Sequence, residues 1–187
     1  MKQQSNVELF FIAIVPDEPV QGEIMALKNE VYEKFGSKGA LRSPAHITLH
    51  MPFKWKVSKM ELLEKSLQLT ALECDSFLQQ LDGFDAFDQR VIFVDVMENP
   101  ILRELHSKVS RCMRTKLNMM NADYKAKGFH PHVTIAFRDL KKSVFKEAWP
   151  EFEFRKYNAS FNVGSFELLK HNGSGWEVYR RFPFGDD

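Results

Sequence analysis

The chain has 187 residues, 44% of them hydrophobic and 27% charged, enough to bury a core in one domain or in two small lobes that share one. That balance excludes a disordered or fibrous chain. A formal charge of +1 argues against coating long nucleic acid through bulk electrostatics, and leaves room for a small anionic ligand. Cys74 and Cys112 lack the Cys-x-x-Cys spacing of a thiolate metal site, so the expected setting is a reducing cytoplasm.

Leu9 to Val15 is the most apolar early stretch and breaks at Pro16, too short for a spanning helix and without a cleavage site. Val7 to Val15 instead reads as a buried strand. From Val20 to Phe35, Ile24, Leu27, Val31 and Phe35 recur at three and four residues before Gly36, which predicts an amphipathic helix. After Pro44, the segment Ala45 to Met51 alternates His46, Thr48 and His50 with Ile47, Leu49 and Met51, as a strand with one polar face does. Ser58 and Glu61 have capping-box spacing and predict a helix that runs to about Cys74. Two strand-like runs follow, Phe77 to Phe87 and Arg90 to Val96, separated by Asp88 and Gln89.

The order then restarts. Pro100 opens a helix striped by Ile101, Leu102, Leu105, Val109 and Met113. A polar stretch from Asn118 to Gly128 leads to Pro131, and His132, Thr134 and Ala136 alternate with Val133, Ile135 and Phe137. A short helix from Lys141 to Trp149 should end at Pro150, followed by strand-like runs at Glu151 to Lys170 and Trp176 to Phe182 around the turn Asn172 to Gly175. The chain therefore reads as one domain, 1–187, holding two pseudo-repeats at residues 7–87 and 90–182, with an offset of roughly 80 to 86 residues. The expected class is α+β and bilobal, with two antiparallel sheets flanking a central cleft and helices outside.

The polar residues carry the functional signal. His46-Ile47-Thr48-Leu49 and His132-Val133-Thr134-Ile135 share one pattern in a chain with only six His. On a strand, residues two apart share a face, so each segment offers an imidazole and a hydroxyl together. If the two units meet across a cleft, they present two imidazoles and two hydroxyls to one ligand. Phosphodiester cleavage needs one proton removed from the attacking oxygen and another delivered to the leaving oxygen. Two groups with pKa values ordinarily about 6.5 can do both near neutral pH without a metal. The hydroxyls would hold nonbridging oxygens as charge builds on them.

These motifs and their surroundings resemble the two-histidine (2H) phosphoesterase superfamily over nearly the whole chain. The surroundings are Ser43-Pro44-Ala45, Met51-Pro52-Phe53-Lys54-Trp55 and Phe129-His130-Pro131. Its members include RNA 2′,3′-cyclic phosphodiesterases, bacterial proteins named 2′-5′ RNA ligases and 2′,5′-oligoadenylate phosphodiesterases. The resemblance implies His46 and His132 as catalytic acid and base, in either assignment, with Thr48 and Thr134 binding phosphate in a cleft between lobes. It also implies that no metal is required. The expected protein is a cytoplasmic monomer acting on a nucleotide or RNA terminus, without cofactor or membrane.

Many relatives carry Arg shortly after the second motif. Here Phe137 stands near that place, with Arg138 one residue on, where strand alternation turns the side chain to the other face. Either a bend returns Arg138 to the phosphate site, or a residue such as Arg42 or Lys54 meets the charge. His50 and His130 read as surface or hydrogen-bonding residues, and His106 and His171 as structural or exposed. Phe53 and Trp55 could stack on a base or pack in the core. Two rival readings stand beside the phosphodiesterase. One is a hydrolase with a metal on His46 and His50 or on His130 and His132; the other is a module that binds a nucleotide or RNA end without turning it over.

Overall fold

Among the described residues, the short β-rich runs pair with antiparallel neighbours and collect into two sheets. The computed structural model describes residues 6–119 and 128–185. In chain order the elements are β1 (Val7–Ile14), α1 (Val20–Phe35), β2 (Ile47–Lys56), α2 (Met60–Ala71), β3 (Phe77–Phe87) and β4 (Val91–Val96). They continue with α3 (Pro100–Thr115), β5 (His132–Ala136), α4 (Lys142–Phe152), β6 (Asn158–Val163), β7 (Ser165–His171) and β8 (Trp176–Pro183). One sheet has the order β2-β1-β7-β8 and the other β5-β4-β3-β6. The fold is α+β with two antiparallel four-stranded sheets, and each His-x-Thr segment lies on an edge strand.

The sheets do not follow the linear order of the chain. β3 joins β4 and β6, whereas β7 returns to β1 and β8 pairs beside β7. The run expected from Glu151 to Lys170 is therefore three pieces: the end of α4, then β6, then β7 in the opposite sheet. Gly164 marks the crossing between sheets. Two of the helices cross as well. α1 packs on β5 and β6, and α3 packs on β2, so each helix leaves a strand of one sheet to cover the other. The result is one continuous core running from Phe10 and Ile12 through Leu102 and Val133 to Phe166 and Phe182.

Several local expectations are corrected. Ser58 does not cap α2: Val57–Lys59 is a single 3₁₀ turn, and the helix starts at Met60 without a side-chain cap. Val57 N donates to Asn6 O at 2.9 Å and Trp55 Nε1 to Lys59 O at 3.0 Å, which commits those residues to the turn. α2 ends at Ala71, short of Cys74. Pro150 lies inside α4. It removes one helical donor, but Phe152 is fully buried, 5.2 Å from the Phe84 ring, and Glu153 N reaches Trp149 O at 2.9 Å, so the last turn holds. Asn99 caps α3 ahead of Pro100, its side chain accepting from Ile101 N at 3.0 Å. Asp88 and Gln89 both take positive φ in the β3–β4 turn, which Arg90 N closes on Phe87 O at 3.0 Å.

Candidate active site

β2 and β5 are the edge strands that come together between the sheets. His46 stands immediately before β2, and His132 is the first residue of β5. Thr48 pairs with Ala13 of β1 and Thr134 with Phe93 of β4, so both hydroxyls face the same side of their sheets as those partners. All four side chains are half-buried. The structure thus brings together the two motifs that the sequence singled out.

Each imidazole is held the same way. His46 Nδ1 lies 2.8 Å from Pro44 O, and His132 Nδ1 lies 2.8 Å from His130 O, two residues upstream in both cases. A carbonyl can only accept, so Nδ1 carries the proton and Nε2 of each neutral ring is left as a proton acceptor. Aromatic rings press on both. Phe11 lies 4.9 Å from His46; Phe87 and Phe93 each lie 5.0 Å from His132. These apolar walls disfavour the charged form. Burial, then the charges of Lys28 and His132, push His46 down to about 4. Burial also lowers His132, opposed by the bond to His130 O and by Asp95, which faces it across the β4–β5 ladder.

His50 leaves the cleft. Register shifts on both sides of its pairing with Ile12 place two extra residues in β2, and between them the face alternation is inverted. His50 consequently points with Ile12 into the core, 3% exposed, its Nδ1 on Met51 O at 2.9 Å and its Nε2 buried without a partner. It cannot share an ion with His46. Among the described residues, no group of three or more His, Cys, Asp or Glu is placed to hold a metal ion. His130 lies beside His132, with 6.4 Å between ring centroids, and touches Phe87 at 5.1 Å. His106 stacks flat on Phe129 at 3.9 Å, and His171 meets Trp176 edge-on at 5.0 Å. Phe53 and Trp55 are buried, so they serve the core and do not offer a stacking platform.

The chain bends at Arg138. β5 ends at Ala136, Arg138 has φ of 62°, and Asp139 N donates to Phe137 O at 2.8 Å, closing a three-residue γ-turn. The guanidinium is exposed and lies over the Phe137 ring at 5.0 Å. Asp139 secures the bend from the other lobe by accepting from Ser37 Oγ at 2.7 Å and Lys38 N at 2.8 Å. Gly39 completes that junction: a Cβ there would sit 2.5 Å from Phe137 O. Arg42 is exposed and lines a groove of about 380 Å³ with Ser43, Pro44 and Trp176. Lys54 is exposed on β2 opposite Leu9. Of the expected cleft wall Asn118 to Gly128, residues 120–127 lie outside the described residues.

Sequence reasoning missed the charges behind the site. Lys28 is 1% exposed on α1 and donates to Ser43 O at 3.0 Å and Pro44 O at 3.1 Å. Its signal was a lysine inside the apolar stripe, between Ile24 and Val31. Glu167, 1% exposed on β7, accepts from Val15 N at 2.9 Å and Ser165 Oγ at 2.7 Å, and pairs with Arg181 at 3.2 Å. It lies next to Ala13, across from Thr48. Its signal was a glutamate set between Phe166 and Leu168.

Comparison with known proteins bears on the family and the fold. The profile of the 2′-5′ RNA ligase superfamily matches residues 16–175. No curated protein sequence matches the chain. Among solved structures, TT0787 of Thermus thermophilus superposes with a TM-score of 0.67 at 18% identity, covering 94% of this chain and 97% of that one. E. coli LigT in its apo form gives 0.63 at 22%, covering 96% and 99%. LigT complexed with 3′-AMP gives 0.60 at 20% with the same coverage. With the profile spanning most of its length and both His-x-Thr segments on facing edge strands, the chain belongs to the 2′-5′ RNA ligase superfamily of two-histidine phosphoesterases.

Proposed function

We propose that the chain is a phosphodiesterase that needs no metal and opens a 2′,3′-cyclic phosphate, or a 2′,5′ linkage, at an RNA end or on a small nucleotide. The observation that carries this reading is the matched pair of histidines, each fixed through Nδ1 with Nε2 available for proton transfer. One takes the proton of the attacking oxygen and the other supplies a proton to the leaving oxygen. Thr48 and Thr134 donate hydrogen bonds to the nonbridging oxygens, where preorganised donors act most strongly as charge grows. Arg138, or failing it Arg42, balances the remaining phosphate charge. The near-neutral chain suits a small ligand, and the LigT complex with 3′-AMP shows that a protein of this fold accommodates a nucleotide.

The test is product analysis on a panel of 2′,3′-cyclic nucleotides and 2′,5′-linked dinucleotides with chelator present. Wild type is compared with the double variant His46→Ala, His132→Ala. Turnover in the wild type and none in the variant is the expected result. Wild-type turnover on none of them, with nucleotide binding retained, would transfer the assignment to a binding module.

A further inference from the structure

The two histidines are near-equivalent in their bonds and unequal in what lies behind them. Pro44 O accepts from two donors, His46 Nδ1 at 2.8 Å and Lys28 Nζ at 3.1 Å. An amine that is 1% exposed and tied to two carbonyls therefore stands one oxygen away from the His46 ring. His130 O, the matching carbonyl behind His132, lies on the opposite lobe. Asp95 faces His132 from the neighbouring strand as its direct ladder partner. From the structure we infer that Lys28 and Asp95 are positioning residues that remove the equivalence: His46 accepts the proton in the hydrolytic step and His132 donates one.

This assignment rests on the phosphodiesterase reading and completes its proton balance. His46 Nε2 takes a proton from water as the water oxygen forms its bond to phosphorus. The bond from phosphorus to the leaving ribose oxygen breaks with its electron pair on that oxygen, which takes the proton from His132 Nε2. The cycle ends with His46 protonated and His132 neutral, and solvent exchange restores the start.

The charged groups packed against the pair differ between its two members. His46 meets Lys28 from α1, the uncharged Phe11 from β1, and His132 from β5. A proton added to His46 would place two cations around one carbonyl. His132 meets Asp95 and Phe93 from β4, Phe87 from β3, and its neighbour His130. Asp95 favours the imidazolium there, while His130 opposes it. Burial lowers Lys28 to about 7, still above the range in which His46 titrates, so the ammonium is present when His46 would gain its proton. A bound phosphodiester anion raises both imidazoles.

The experiment is an NMR titration of the imidazole nitrogens of the full chain without substrate, in wild type, Lys28→Met and Asp95→Asn. His46 is expected to titrate below His132. Lys28→Met should raise His46 by about one pH unit and leave His132 in place; Asp95→Asn should lower His132 and leave His46 in place. Wild-type His46 titrating above His132 would overturn the assignment, as would an unmoved His46 in Lys28→Met. If Lys28→Met does not fold, Asp95→Asn decides alone, since Asp95 is only half-buried: an unmoved His132 overturns the inference. These titrations need no turnover, so they stand apart from the substrate panel. In turnover, Lys28→Met should move the acidic limb of the pH–rate profile upward without moving the alkaline limb.

Discussion

His50 lies four residues after His46 on one strand and faces the opposite side of the sheet, because two register shifts intervene between Thr48 and Phe53. The pair therefore separates the proposed chemistry from packing. His46→Ala should reduce kcat/KM on the responsive substrate by about 10³-fold with the fold retained. His50→Leu removes a buried nitrogen that has no partner together with the Nδ1 bond to Met51 O, two effects of opposite sign, and should hold kcat within about twofold while changing stability by no more than about 1 kcal/mol. Steady-state kinetics beside denaturant midpoints check both, and a comparable loss of rate in His50→Leu would return His50 to the site.

Acid should unfold this protein through its buried imidazoles. Burial holds His46 and His106 at about 4, and His50 is lowered by the same cause. In the unfolded chain they recover values about 6.5, so between about 4 and about 6.5 the unfolded state binds more protons and stability rises with pH. The stability is complete above that window and is lost as pH falls through it. Urea midpoints measured at pH 7 and pH 4.5 should show the decline, and His50→Leu should make it shallower. A pH-independent midpoint would contradict the burial of these rings.

Thr48 and Thr134 test the phosphate half of the site. Valine keeps the shape and removes the donor, so either Thr→Val change should lower kcat by about 10- to 100-fold with a smaller effect on KM, as expected of a bond that strengthens in the transition state. Equal losses in the two variants would match their equivalent places beside β1 and β4. A change confined to KM would assign the hydroxyls to ground-state binding.

Arg138 occupies a bend, and its guanidinium rests on Phe137. If it meets the phosphate, Arg138→Ala should raise KM about tenfold and flatten the salt dependence of kcat/KM, whereas Arg42→Ala should do little. The reverse outcome would move the charge to the groove beside Pro44.

The amino-acid sequence by itself determined the class of fold and the four residues of the His-x-Thr pairs, because period-two and period-3.6 patterns are local and the motif repeats within one chain. It could not show the exchange of partners between sheets. β7 pairs with β1 across most of the chain's length and β8 pairs with β7, and nothing in their own alternation names those partners. It could not place His50 either, since strand alternation carries a residue to one face until a bulge reverses it, and the bulges are visible only in the β1–β2 register. Lys28 and Asp95 needed tertiary structure most of all. One lies on a helix that crosses to the opposite sheet and reaches the Pro44 carbonyl that His46 also uses; the other lies on the strand paired with that of His132.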